Sequence, residues 1–324
     1  MDSETSALPS VLPAGGTLGP VINAAQKYVA MATSKNTVRA YRSDWAHFSR
    51  WCEQQRLRAY PADPATVGLY MAALAETHKV STITRRLAAI SKQHRDHGRY
   101  SPCSMRYSAI CEVLRGIRRE KGVRAEAKAA LSTDQLRAMV GALPTNPRGL
   151  RDRALLLIGF AGGFRRRELA ALDLASITDT EDGLKVLIRR SKTDQEGEGR
   201  TIGIPYGSDP RTCPVRAYRA WIKASGITEG PVFRHFHNRK MGDRAISAQV
   251  VALVVKRAAE RADIDATELA GHSLRSGMAT VAARNGASER SIMKQTGHRS
   301  VQMVRRYIRE GELFSDNPAS KLLL

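Results

Sequence analysis

The sequence has few of the features that build a protein around disulfides, metals or a membrane. Its 324 residues include only four cysteines. They are scattered and form no C-x-x-C pair, which argues against a zinc site and a disulfide framework and favours free thiols in a reducing compartment. No apolar run reaches the roughly 18 residues of a transmembrane helix, and the N-terminus lacks the basic-then-apolar order of a signal peptide. We therefore expect a cytoplasmic protein without a membrane partner.

Acidic residues are scarce relative to basic ones. The formal net charge is +21 and the pI is about 10.4, an excess that points to a polyanionic partner. Residues 21–130 carry 20 Lys/Arg against 8 Asp/Glu, and residues 131–324 carry 32 against 21. Because both parts are basic, the charge does not belong to a tail, and two basic bodies suggest a clamp around a DNA duplex. A structural basic protein is the alternative, but such proteins usually lack so well-patterned an apolar core.

The residue pattern divides the chain into two domains with connecting segments, as its length suggests. Residues 1–20 are rich in Ser, Gly and Pro, contain no Lys or Arg, and are predicted to be a flexible arm. A helical domain follows over residues 21–122. The charged, alanine-rich residues 123–131 are the best linker candidate. The second domain spans residues 132–310, and residues 311–324 form a short tail.

Apolar residues spaced by three and four from Ser34 to about residue 123 predict four amphipathic helices in the first domain. The first is capped by Ser34, the second opens at Asp63 and Pro64, and the third opens at Ser81. Basic residues mark the outer faces, and those nominated as DNA contacts are Arg39, Arg42, Arg85, Arg86, Lys92, Arg118, Arg119 and Lys121. Ordinary solvated helix faces are the alternative for about half of this set.

The second domain is predicted to be mainly α with a small β-sheet. Ser132 and Gln135 form a capping box, and a buried apolar helix covers residues 154–161. Alternating apolar residues predict strands at 184–189 and 201–204, joined by a Gly-rich turn. Further helices are expected near residues 214–224, 247–262, 273–284, 288–295 and 300–308.

Two basic positions could act on a phosphate. Arg165 follows the paired glycines that end the apolar helix, and Glu168 lies three residues on, within reach of its guanidinium. A held arginine fork suits two phosphate oxygens; a purely structural Arg–Glu pair is the alternative. Lys192 lies at the tip of the β-hairpin, where it could protonate a leaving oxygen. Taken alone, a solvated lysine explains it better.

Histidines, an arginine and a tyrosine cluster near the C-terminus. His272 and Arg275 form H-x-x-R at the start of a helix, an arrangement that favours anion binding but is a weak pattern alone. His298 follows a helix-ending glycine. Tyr307 lies near the apolar face of the last helix, so that a core tyrosine is the alternative. The histidines could suggest a metal, but no cysteine or carboxylate completes a ligand set.

The order Arg…Lys…His-x-x-Arg…His…Tyr is more specific than any of its parts and resembles the tyrosine recombinase (phage integrase) family. G-F-R-R-R-E-L matches the first-arginine box of the family, S-K-T its hairpin lysine, G-H-S-L-R-S-G its His-x-x-Arg box and T-G-H-R-S-V-Q-M-V-R-R-Y its terminal box. The stretches A-K-A-A-L-S-T-D-Q-L and R-R-Y-I-R look like the Cre type, although His298 stands where Cre has tryptophan. The resemblance implies a helical core-binding domain and a mixed α/β catalytic domain.

The resemblance also implies the chemistry. Tyr307 would attack a scissile phosphate and form a 3′-phosphotyrosyl link, which stores the bond energy for rejoining. His272 would assist the tyrosine proton, and Lys192 would protonate the leaving 5′-oxygen. Because arginines supply the positive charge, no metal or other cofactor is expected.

The remaining family positions imply a phosphate cradle. Arg165 and Arg275 would hold the non-bridging oxygens, His298 would hydrogen-bond the phosphate, and Glu168 would orient the side chains around it.

The implied partners are double-stranded DNA and further copies of the chain, as a tetramer on two DNA sites. In the family, a tail such as residues 311–324 often docks on a neighbouring protomer; packing on its own subunit is the alternative. Two other functions stay open: DNA relaxation of the type IB topoisomerase kind, and a non-catalytic DNA-binding regulator. The intact set from Arg165 to Tyr307 argues against the regulator.

Overall fold

A computed structural model describes residues 18–123, 129–189, 199–298 and 300–311. The chain divides into two compact units, Met1–Glu126 and Ala127–Leu324. The division lies within the predicted linker. No helix in the described ranges is both long enough and apolar enough to cross a membrane.

The described part of the first unit consists of helices. They are α1 (Gly19–Met31), α2 (Lys35–Gln54), α3 (Pro64–Ala75), α4 (Val80–Asp96) and α5 (Ser108–Lys121). The apolar faces of α2 to α5 enclose a core in which Phe48, Tyr70, Ile90 and Ile110 are fully buried. Burial of these faces stabilises helices that are marginal alone.

Local capping explains where two of these helices begin. The Ser34 side chain accepts a hydrogen bond from the Thr37 amide at 3.2 Å, and Asp63 accepts one from the Ala65 amide at 2.7 Å. Both predicted starts are therefore confirmed.

The structure differs from the predictions at α1 and α4. The predicted start of α4 at Ser81 is wrong, because the extended backbone ends at Lys79 and Ser81 already lies within the first turn. Helix α1 was not predicted, and it begins at Gly19, inside the predicted arm. Its apolar residues, such as Val21 and Tyr28, are exposed, so no buried face marks it in the sequence.

The second unit combines helices with two small sheets. Its helices are α6 (Thr133–Gly141), α7 (Pro147–Ala161), α8 (Arg166–Ala170), α9 (Pro214–Ser225), α10 (Ala248–Arg261), α11 (Ser273–Arg284), α12 (Glu289–Thr296) and α13 (Val301–Gly311). Its strands are β1 (Ile177–Thr180), β2 (Gly183–Ile188), β3 (Arg200–Pro205), β4 (Arg234–His237) and β5 (Lys240–Ala245). The predicted fold class, mainly α with a small β-sheet, is confirmed.

The strands form antiparallel pairs. One sheet has the order β1-β2-β3, with Val186 opposite Ile202 on its buried face, and β4 pairs with β5. The predicted hairpin corresponds to β2 and β3. Strands β1, β4 and β5 were not predicted, because their residues are largely polar and show no apolar alternation.

Helix α7 is the centre of the second unit. It begins at Pro147, earlier than predicted, because Asn146 caps it by accepting from the Gly149 amide at 2.9 Å. Leu155 and Ile158 on α7 pack in one core with Trp221. The capping box of Ser132 and Gln135 at the start of α6 is confirmed.

A smaller apolar cluster joins α11, α12 and α13. It contains Ala279, Ala283, Ile292, Val304 and Tyr307. This packing holds the last helix against α11, and it brings the C-terminal tyrosine next to the start of α11.

Candidate active site

A tight turn between α7 and α8 presents Arg165. Gly163 has a φ of +58°, which glycine adopts without strain, and a side chain there would overlap Met278 of α11. The turn therefore packs closely on α11 and leaves Arg165 at the first position before α8.

Glu168 holds Arg165 in place from within α8. Its carboxylate accepts from Arg165 Nη1 at 2.7 Å and from the Arg165 backbone N–H at 3.0 Å. Arg165 Nη2 also donates to the carbonyl oxygen of Gly297 at 3.0 Å. Burial raises the pKa of Glu168, but the backbone hydrogen bond from Arg165 and the charge of Arg200 outweigh it and hold the pKa below its usual value. The Glu168 carboxylate is therefore ionised, and it holds the forked guanidinium of Arg165 in a fixed orientation.

Arg275 is the most deeply buried charge of the site, with 1% of its surface exposed. Its Nη1 donates to the carbonyl oxygens of Gly163, at 2.7 Å, and of Thr296. Its buried Nη2 has no hydrogen-bond partner among the described residues. Burial lowers the pKa of Arg275 to about 10, so the side chain remains cationic at neutral pH. A buried donor without a partner is costly, and an anion would satisfy this one.

His272 and Tyr307 are hydrogen-bonded. His272 Nε2 lies 3.1 Å from Tyr307 Oη, across 35 residues of sequence. Tyr307 is 7% exposed, whereas His272 lies at the surface. Partial desolvation and the charge of Arg275 lower the pKa of His272. The ring is therefore neutral near pH 7 and can accept the phenol proton.

His298 completes the cluster from the turn after α12. Gly297 ends that helix with a left-handed φ of +66°. A hydrogen bond of 2.7 Å joins His298 Nδ1 and Thr296 Oγ1, and the ring centre lies 5.8 Å from that of Tyr307. Burial, followed by the charges of Arg275 and Arg165, lowers the pKa of His298 from 6.5 to about 3.

The lowered pKa of His298 predicts a loss of stability in acid. In the unfolded chain His298 is protonated below about pH 6.5, whereas in the folded protein it is protonated only near pH 3. The contribution of neutral His298 to the free energy of unfolding is therefore complete above pH 6.5 and is lost as the pH falls. Acidification from pH 7 to pH 5 should cost the wild type about 2 kcal/mol more than it costs His298→Asn, measured by urea unfolding at both pH values. The exposed-residue variant His237→Asn should behave as the wild type, and equal acid sensitivity of all three proteins would contradict the assignment.

Arg200 was missed in the sequence reasoning. Its Nη2 lies 2.9 Å from Glu168 Oε2, so that Glu168 bridges two arginines. A signal was present: on the alternating strand β3, Arg200 shares the face of the buried residues Ile202 and Ile204. An arginine on a core-facing position is expected to have a carboxylate partner.

Lys192 lies outside the described residues. Within the described ranges, no three or more His, Cys, Asp or Glu side chains are grouped so that they could hold a metal ion.

The nominated DNA-contact residues differ in their surroundings. Arg85 is exposed but lies 3.0 Å from Asp44, and Lys92 lies 2.9 Å from Asp96. Arg86 is 9% exposed and points into an internal cluster where it hydrogen-bonds Tyr70. This inward placement does not suit a phosphate contact. The other exposed positions are Arg39, Arg42, Arg118, Arg119 and Lys121.

The chain matches two known protein families in sequence. Residues 129–312 match the phage integrase family, and residues 27–95 match the phage integrase N-terminal SAM-like domain. An integrase/recombinase XerD homologue of Selenomonas ruminantium is 36% identical over 303 residues, which cover 92% of this chain and 88% of the relative. The Cre recombinase of Escherichia phage P1 is 28% identical, over 86% of this chain and 85% of its own.

Solved structures share the fold at low sequence identity. The Tn1549 transposon integrase in complex with a circular intermediate DNA superposes with a TM-score of 0.62 at 14% identity, over 93% of this chain and 98% of the other. A lambda integrase tetramer bound to a Holliday junction gives 0.59 at 15% identity, over 91% and 78%. With the sequence matches over most of the chain, the conclusion is direct: the chain belongs to the phage integrase family and is a site-specific tyrosine recombinase.

Proposed function

We propose that Tyr307 is the nucleophile with which this recombinase cuts and rejoins DNA. The observation that carries the proposal is the 3.1 Å contact between His272 Nε2 and Tyr307 Oη, beside the buried guanidinium of Arg275. In the first step the Tyr307 oxygen bonds to phosphorus and the bond from phosphorus to the 5′-oxygen breaks. The 3′-phosphotyrosyl link keeps the energy of the phosphodiester, so a second strand can reseal it without ATP.

Two arginines bind the phosphate in this scheme. Arg275 Nη2 has no hydrogen-bond partner among the described residues, and Arg165 is held in a fixed orientation by Glu168. Both can donate to non-bridging oxygens, on which charge builds up as phosphorus becomes five-coordinate. His298, oriented by its hydrogen bond to Thr296, adds a further contact to the phosphate.

Protons move at the two apical oxygens. The phenol proton of Tyr307 passes to His272, whose lowered pKa keeps the ring neutral and ready to accept. We assign protonation of the leaving 5′-oxygen to Lys192, on the resemblance of S-K-T to the hairpin lysine of the family. Lysine releases a proton more readily than arginine does, so the residue type fits this role.

The chain has the charge for a double-stranded DNA partner. The net charge of +21 is spread over both units, and the exposed arginines of the first unit suit phosphate contacts. We further propose a tetramer on two DNA sites, acting in the cytoplasm; the lambda integrase tetramer on a Holliday junction is a fold neighbour with that assembly. The intact set of residues from Arg165 to Tyr307 argues against a regulator without catalysis.

The test begins with covalent capture of DNA. Wild-type protein is incubated with a pool of duplexes that carry a randomised core and a nick near its centre. Adducts that survive SDS are purified, sequenced and enriched over several rounds. We expect enrichment of one sequence class, with protein joined to the 3′-phosphate.

The enriched site then separates strand exchange from relaxation. Two copies of it on one plasmid should yield recombinant products, and the mass of the complex on two-site DNA should equal four chains. Relaxation of supercoiled plasmid with no recombinant would favour topoisomerase-like activity. No adduct in any round would overturn the assignment of Tyr307.

A further inference from the structure

We propose that Arg200 is a positioning residue of the active site: it holds the Glu168 carboxylate in place and restores the positive charge that Glu168 removes from Arg165. The inference rests on the proposed function. It assigns to β3, the strand that begins at Arg200, a direct part in the phosphate site.

Glu168 is enclosed by four donors from two arginines. Its Oε1 faces Arg165 Nη1 at 2.7 Å and Arg200 Nη1 at 3.5 Å. Its Oε2 faces the Arg165 backbone N–H at 3.0 Å and Arg200 Nη2 at 2.9 Å. Because each carboxylate oxygen is contacted by both arginines, rotation of Glu168 would break hydrogen bonds to Arg165 and to Arg200 together. Glu168 is 7% exposed, so water compensates little for a lost donor.

Arg200 also contributes to the charge beside the phosphate. Arg165 and Arg275 bring two positive charges, and Glu168 offsets one of them. Arg200 returns the sum of these four side chains to plus two while leaving the Arg165 fork directed at the phosphate. This charge adds to that of Lys192 and to that of His272 after it accepts the phenol proton, as negative charge builds up on the five-coordinate phosphate.

Arg200 also lies directly against the turn that carries His298. A methyl group on Gly297 would overlap the Arg200 guanidinium, and the Gly297 carbonyl accepts from Arg165 Nη2 at 3.0 Å. A second side chain links the same elements: Gln295 Nε2 donates to the carbonyl oxygens of Ala161 and Gly203, each at 3.0 Å. Strand β3 is therefore fastened to both the α7 end and the α12 end, and Arg200 is its charged contact with the site.

The test compares Arg200→Gln with Arg200→Lys on the enriched duplex. We expect Arg200→Gln to form adduct about 10- to 100-fold more slowly under single-turnover conditions. Without Arg200, Glu168 no longer holds the Arg165 guanidinium in the orientation in which it donates to the phosphate. DNA affinity in a gel shift should change by less than about twofold, because the Arg200 guanidinium is paired with Glu168. Arg200→Lys should recover a large part of the rate of adduct formation, because lysine restores the positive charge beside Glu168.

A matched control separates this role from a structural one. Arg219→Gln removes an arginine of the same unit that pairs with Asp179 at 2.7 Å, on the surface, and it should keep the wild-type rate. Equal rates for Arg200→Gln and wild type would overturn the inference, as would equal losses for Arg200→Gln and Arg219→Gln. So would a failure of Arg200→Lys to exceed Arg200→Gln at equal folded fraction.

A measurement without DNA tests the contact between Arg200 and Glu168 separately from the proposed function. Carbon-13 NMR titration of the Glu168 carboxyl should show its pKa rising in Arg200→Gln and returning toward the wild-type value in Arg200→Lys. If wild-type protein forms no adduct and Tyr307→Phe behaves identically, the nucleophile assignment fails. The Glu168 titration then tests by itself whether Arg200 positions Glu168. An unchanged Glu168 titration in Arg200→Gln would then contradict the positioning role.

Discussion

Tyr307→Phe should abolish covalent capture of DNA while leaving DNA binding intact. The substitution removes the phenol oxygen of Tyr307, and no other described side chain is hydrogen-bonded to His272 Nε2. Adduct formation on the enriched duplex should fall by at least about 10³-fold, as expected for loss of a covalent nucleophile. SDS gels measure the adduct, and gel shifts measure affinity, which should stay within about twofold because the phenol is not a phosphate ligand before attack.

The matched control for this experiment is Tyr218→Phe. Tyr218 lies on α9 of the same unit, is 5% exposed, and has its pKa raised to about 12 by burial. This variant should form adduct at the wild-type rate. If Tyr307→Phe still yields SDS-stable adducts, the nucleophile is another residue; if Tyr218→Phe is as inactive, the loss in Tyr307→Phe reports packing rather than chemistry.

Arg275→Lys should slow cleavage by about 10²- to 10³-fold, the usual cost of removing one preorganised donor to a developing oxyanion. The charge is kept, so the effect isolates geometry. Arg275 Nη1 is occupied by the carbonyl oxygens of Gly163 and Thr296, while Nη2 has no partner among the described residues. An ammonium group is a single point and cannot serve both carbonyl oxygens and the phosphate along separate directions. Single-turnover adduct formation measures the loss.

Arg284→Lys controls for the exchange of arginine for lysine on the same helix. Arg284 is exposed near the end of α11, and its variant should keep the wild-type rate. Circular dichroism at the assay temperature corrects each rate for the folded fraction. A rate for Arg275→Lys within about threefold of wild type would show that the phosphate is held elsewhere.

Local rules explain how much of the fold could be predicted from the sequence. Ser34, Asp63 and the Ser132 capping box act within one helical turn, and each marks a helix start in the structure. The start at Ser81 failed because several residues near it could begin the helix, and the extended backbone at Lys79 decided between them. Strands β4 and β5 were missed because their pairing depends on neighbours in space rather than on apolar alternation.

The sequence by itself determined the residue types, their order along the chain and the basic charge, and these suffice to indicate the family. It could not determine which charges point inward. Arg86 follows Arg85 on a basic helix and Arg200 follows the Gly-rich turn, yet Arg86 points into an internal polar cluster and Arg200 bridges to Glu168.

The tertiary structure alone decided that Tyr307 meets His272 and that Arg275 keeps a buried nitrogen without a partner among the described residues. The physical reason is that both facts depend on packing between α11, α12, α13 and the turn after α7. Residues more than 30 positions apart in sequence meet there, and no local pattern encodes such a contact.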